Sequence, residues 1–175
     1  MTLQLLLVLP LMILGTLAVL QFALTSVVEG GVRSAARAGA DVASRGGGMP
    51  EVLAAIESVL ATHGVNVPVQ SGPARGNLLV LLESPERPEV GIAGNPAIQA
   101  TPSGPRLRRG EVRVTVCIQL TGGPGDPVPN WLRFAGFSLQ GYQVLSSSLA
   151  VRETAREAAL VSQRVEFHPP ERAAG

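Results

Sequence analysis

The sequence predicts an α+β protein: a single N-terminal transmembrane helix, extended as an amphipathic stalk, carrying a small, mostly antiparallel sheet head. Three observations predict it. Residues 1–28 carry no formally charged side chain, the first being Glu29. Small and apolar residues then recur at helical spacing as far as Val42. Two segments further on, Glu111 to Leu120 and Ser138 to Arg152, have the length and composition of strands. Composition narrows the function classes. Only 15% of the 175 residues are charged, which argues against a disordered chain. The net charge of +1 gives no reason to expect a nucleic-acid partner. All 14 basic residues are arginine, which reads as coding bias. Cys117 is the one cysteine, so no intrachain disulfide framework exists, and two histidines leave little for a metal site.

The span is Leu3 to Leu24, 22 residues and almost wholly apolar, assigned to a transmembrane unit over 1–25. A bilayer core of about 30 Å needs roughly 20 helical residues, so the length fits. A cleaved signal peptide would need a basic start, a shorter apolar core and a small-residue cleavage site, and these are missing. Pro10 and Gly15 lie inside the run. Pro10 marks either a kink or a tolerated irregularity.

The amphipathic stalk occupies 26–46. Val28, Val32, Ala35, Gly39 and Val42 fall on one face at spacings of 4, 3, 4 and 3, while Glu29, Arg33, Arg37 and Asp41 line the other. Ala35 and Gly39 admit a closely packed backbone, either a second helix or the protein's own head. A bend at Gly30-Gly31 is compatible with the cost of glycine in a helix, about 1 kcal/mol each.

The head is assigned to 47–153, after the Gly46-Gly47-Gly48 boundary. A short helix comes first, with Pro50 in its first turn, Gly64 past its end, and Leu53, Ile56 and Leu60 on one face. Apolar runs Val65 to Val69 and Leu78 to Leu82 follow, separated by SGPARG. Ser84 to Gly110 has five prolines and reads as a surface loop with an edge strand around Glu89 to Ile92. In Glu111 to Leu120, valines 112, 114 and 116 with Ile118 and Leu120 alternate with Arg113, Thr115, Cys117 and Gln119. One face is therefore expected in the core and the other against water or a partner. WLRFAGF supplies three of the six aromatics. In Ser138 to Arg152, Leu139, Leu145, Leu149 and Val151 are expected to share a face, with a bulge near Gly141. Residues 154–175 read as a weak helix and a flexible tail.

No catalytic, cofactor-binding or metal-ligating set emerges. Ser146-Ser147-Ser148 has no glycine elbow or nearby histidine, and His63 and His168 lack close partners in sequence. TGGPGDP lacks the Lys-Ser/Thr ending of a phosphate loop. Arg106, Arg108 and Arg109 form the one basic cluster and read as a solvated loop. These observations favour a structural role over catalysis.

LQLLLVLP with its apolar continuation, then QFALTSVVEGGVRSAARAGADVAS, resembles the opening of TadE-like and TadG-like proteins, the minor pseudopilins of tight-adherence pili. VRVTVCIQL, the proline-bearing aromatic loop and SLQGYQVLSSSLAVRE resemble that family's C-terminal part more loosely. The resemblance covers residues 3 to about 46 well and 111 to 153 in outline. It implies a bacterial inner-membrane protein, N-terminus cytoplasmic and head extracytoplasmic, that joins or primes a secreted pilus. It further implies a set of partners: the lipid bilayer, other pilin or pseudopilin subunits, the pilus-assembly platform and a prepilin peptidase. The membrane and assembly residues would be Gln4, Pro10, Gly15, Val28, Val32, Ala35, Gly39 and Val42.

Two features depart from the pattern. The family's glutamate falls on Gln4, which is neutral and can only hydrogen-bond, for about 1 kcal/mol. No short basic leader precedes the run. Arg33 and Arg37 also follow the span, so the positive-inside rule alone favours the opposite orientation. Two other functions stay open beside assembly: a membrane-anchored extracytoplasmic binding module, motivated by the Ser84–Gly110 loop, and a tethered hydrolase.

Overall fold

The computed structural model describes residues 2–65, 77–100, 104–120 and 126–153. Most of the Val65–Val69 run, the SGPARG turn, the TGGPG segment and everything expected after Glu153 lie outside them.

Helix α1 runs from Thr2 to Ser44, 43 residues without interruption, through Pro10 and through the Gly30-Gly31 pair. No bend is needed at the glycines because packing holds the helix there. A β-carbon on Gly31 would come within 3.1 Å of the His63 Cβ, so the helix passes close beneath the end of α2 (Met49–Thr62). Gly64, with φ of +72°, then turns the chain out of α2, and the Val65 N–H donates to the Leu60 carbonyl at 2.9 Å.

Four strands form one antiparallel sheet in the order β2-β1-β3-β4: β1 Leu78–Ser84, β2 Arg87–Gly94, β3 Glu111–Leu120 and β4 Tyr142–Val151. The edge strand expected around Glu89 to Ile92 is β2, paired as a hairpin with β1. Between β3 and β4, Trp131–Ala135 forms a 3-10 turn.

Both helices lie on one face of the sheet. Val28, Val32, Ala35, Ala36, Ala40 and Ala43 of α1 meet Val52, Ile56 and Leu60 of α2. Beneath them lie Leu78 and Val80 of β1, the alternating valines of β3, and Val144 of β4. The core therefore begins at Val28, and of the two partners open to the stalk, a second helix or the protein's own head, α1 packs on the head as far as Ala43. Alanines on α1 and the small Ser146, Ser148 and Ala150 on the facing side of β4 let helix and strand pack closely.

Three expectations are corrected. The middle of the second face of β3 does not meet water: Cys117 is fully buried with Leu79, Leu81 and Ile98, because Asn95–Ala100 folds over it. Arg113, on that same face, is buried beside Glu83 and donates to the Pro105 carbonyl. The last strand starts at Tyr142, and its register with β3 is unbroken from Leu120↔Tyr142 to Glu111↔Val151. Gly141, with φ of +84°, is a turn residue donating to the Leu120 carbonyl at 3.1 Å, not a bulge. Leu139 consequently precedes the strand and packs on the main core, while Leu145, Leu149 and Val151 lie exposed on the outer face.

Candidate functional site

Among the described residues, three surfaces are open for function: the apolar half of α1 with the aromatic turn beside it, a cleft at the far end of α1, and the outer face of β4.

The first half of α1 holds Gln4, Pro10 and Gly15, and from Val8 onward its large apolar side chains are mostly bare. Val8, Leu9, Leu11, Met12, Ile13, Val19, Leu20 and Phe22 are all exposed. Among the described residues this is the one helix long and apolar enough to cross a membrane. The second half has the opposite character. Val28, Val32 and Ala35 are fully covered by the head, and Val42 packs at the margin of the core. A β-carbon on Gly39 would stand 3.0 Å from Ile56 Cδ1 and 3.1 Å from Val114 Cγ1, so glycine lets helix and sheet meet there. Glu29, Arg33, Arg37 and Asp41 occupy the exposed side. The sequence-predicted seam is thus brought together intact, and it faces this chain's own head.

The junction between the two halves contains a contact that sequence reasoning missed. Gln21 is 5% exposed, and its side-chain oxygen accepts a hydrogen bond from the Leu132 N–H at 3.2 Å. Leu132 is buried, and the 3-10 turn around it closes at Gly136, whose φ of +85° suits glycine. Trp131, Phe134 and Phe137 remain exposed around that turn. Gln21 was legible only as one of two glutamines in an otherwise apolar run. Nothing in sequence joins it to a residue 111 positions away.

A cleft of about 510 Å³ lies at the other end of α1. Gly46, Gly47, Met49, Leu82, Val90 and Arg152 are among its walls. Arg152 ion-pairs with Glu86 there and donates to Ser84 Oγ at 3.4 Å. The two terminal nitrogens of Arg152 are thus engaged, while its Nε is buried without a hydrogen-bond partner.

Other candidates are dispersed. Ser147 shares a hydrogen bond with Thr115 at 3.0 Å on the outer sheet face, remote in sequence and element from His63 at the end of α2. His168 lies outside the described residues. Among the described residues no three His, Cys, Asp or Glu side chains group as metal ligands. Arg106, Arg108 and Arg109 are exposed, and the Arg108 N–H caps Glu111 Oε2 at 2.6 Å. Burial pushes the Cys117 thiol above its ordinary pKa, which leaves it a protonated, poor nucleophile.

The architecture defines a class: an α+β protein in which one long helix is bare and apolar at its N-terminal half and is the core helix of a four-stranded head at its other half. Comparisons with family models, with curated proteins and with solved structures each return no match.

Proposed function

We propose that this chain is a non-catalytic, membrane-anchored pilus-assembly subunit of the minor pseudopilin kind, tethered in the bacterial inner membrane with its head extracytoplasmic. The observation that carries the reading is the division of α1. An apolar helical surface of about 20 residues is unstable in water but is the length a bilayer core requires. The same helix continues unbroken into the head, so a neighbour that packs on the apolar half acts directly on the folded part. With Val28, Val32, Ala35 and Gly39 engaged by this chain's own head, subunit contacts within the membrane fall to the Gln4–Leu20 segment. Gly15, which has open space around it, offers a place for a second helix to approach.

N-terminal sequencing by mass spectrometry of protein recovered from its native membrane tests this. An N-terminus at or within a few residues of Met1, released from a longer leader, supports pilin-type processing. An N-terminus beyond Leu24 would mean a secreted head and would end the assembly reading.

A second reading, a membrane-anchored extracytoplasmic binding module, draws on the cleft at Gly46-Gly47 and Arg152. It requires the head to bind a ligand there, with affinity lost in Arg152→Ala.

A further inference from the structure

We propose that the Trp131–Phe137 turn is a second membrane contact, an aromatic foot that rests in the headgroup region of the bilayer and fixes the height of the head above it. This rests on the reading that α1 crosses a membrane.

The height of the turn comes from α1. From Leu3 to Gln21 a helix rises about 27 Å, close to the roughly 30 Å of a bilayer hydrocarbon core. With Leu3 at the entry, Gln21 stands in the last turn of the Leu3–Leu24 run, close to where the helix leaves the hydrocarbon. The Leu132 N–H is bonded to the Gln21 side chain, so the turn is held at that same level. Pairing the glutamine amide oxygen with a backbone donor also suits this depth, where water competes less for either group.

The composition of the turn comes next. Leu132 is the inward anchor, and the aromatic side chains around it are exposed. Trp131 is 38% exposed, Phe134 72% and Phe137 66%. Phe22, the neighbour of Gln21 on α1, is equally bare. Three aromatics exposed together on a short turn form an apolar patch that water does not favour. Tryptophan concentrates at the membrane interface, where its apolar ring and polar N–H are both accommodated, and phenylalanine supplies apolar surface to segments that lie in that layer. Arg133, exposed between Trp131 and Phe134, carries the positive charge that a lipid phosphate would meet. The turn meets α1 at Gln21, next to the exposed Phe22 and Leu20, so a lipid layer covering the bare helix reaches the turn as well.

Trp131 is the sole tryptophan, which makes the chain its own depth gauge. The full chain would be reconstituted in vesicles of phosphatidylcholine and phosphatidylglycerol, with insertion of α1 established separately by resistance to alkaline carbonate. The expected result is blue-shifted Trp131 emission, quenched more strongly by lipids brominated near the headgroup end of their chains than by lipids brominated near the methyl end. Replacing the two phenylalanine rings, Phe134→Ser with Phe137→Ser, is expected to red-shift the emission and weaken the quenching while α1 stays inserted. Water-like, unquenched emission from an inserted chain would overturn the foot and leave the span standing. A blue shift that no brominated lipid quenches would assign the patch to a protein neighbour and overturn it too. Unchanged quenching in the double variant counts equally against it. Extraction of the chain by carbonate would instead remove the span, and the foot with it.

Discussion

Gln21 and Leu132 join the apolar half of α1 to the turn between β3 and β4: the amide oxygen of the first accepts the backbone N–H of the second at 3.2 Å, in a buried position. Replacing Gln21 with leucine keeps the volume and removes the acceptor. The Leu132 N–H is then buried without a partner, at a cost of about 1–3 kcal/mol. Hydrogen exchange at the Leu132 amide should accelerate in Gln21→Leu by more than at the β3 amides. Equal protection in both proteins would show that the turn is held by other contacts.

The glycines of α1 separate into two kinds. Gly30 has open space around it, so Gly30→Ala should stabilise the chain by about 1 kcal/mol through helix propensity alone. Gly39 faces Ile56 and Val114 at contact distance, and Gly39→Val should destabilise by about 1–3 kcal/mol through overpacking. Thermal unfolding in one detergent compares the two. A neutral Gly39→Val would mean that the helix does not seat on the sheet as described.

Because the core begins at Val28, truncation has a sharp threshold. A chain starting at Gln21 retains every core residue of α1 and should fold with a cooperative unfolding transition. A chain starting at Gly47 loses the six buried apolar side chains of α1 and should not. Circular dichroism melts of the two pieces decide between a core helix and a dispensable stalk.

Arg113 is buried beside Glu83, with the Nη1 to Oε2 distance at 3.5 Å, and also holds the Pro105 carbonyl. Removing the arginine leaves the glutamate without its counter-charge. Arg113→Ala should cost about 3 kcal/mol in urea unfolding, and Arg113→Leu combined with Glu83→Leu should recover part of the loss. A double variant as unstable as the single one would place the cost in packing rather than charge.

Cys117 offers a pH test. Its thiol pKa is raised by burial, so above the ordinary thiol range the unfolded chain ionises while the folded one does not. Stability is unaffected below the unfolded pKa and falls as pH rises from there towards the folded pKa. Cys117→Ala should remove that alkaline slope. At neutral pH the native thiol should resist alkylation until the chain unfolds, and prompt labelling of folded protein would contradict its burial.

Much of this fold is legible in sequence because the decisive signals are local. The uncharged run to Val28, the helical seam and the alternation in β3 each depend on neighbours within a few residues. What escaped is what depends on distant covering. Cys117 reads as outward-facing because Arg113, Thr115 and Gln119 share its parity, and the segment that covers it, Asn95–Ala100, has no periodicity of its own. Leu145, Leu149 and Val151 read as an ordinary apolar face, yet the smaller residues of β4 face the core because α1 crosses there. Gly30-Gly31 reads as a weak point because the support given by His63 comes from another helix. The seam itself was legible, but whether it would meet a second molecule or this one is a tertiary question.

An unbroken α1 also has a mechanical consequence. The 43-residue rod is about 64 Å long at 1.5 Å per residue. Leaning it by the roughly 20° common among membrane helices carries its far end sideways by about 22 Å. The sheet is clamped along the upper half of the rod, so it swings as the load on a lever swings. With the apolar half embedded in lipid, as proposed, a small change in lean would reach the cleft at Gly46-Gly47 as a large sweep.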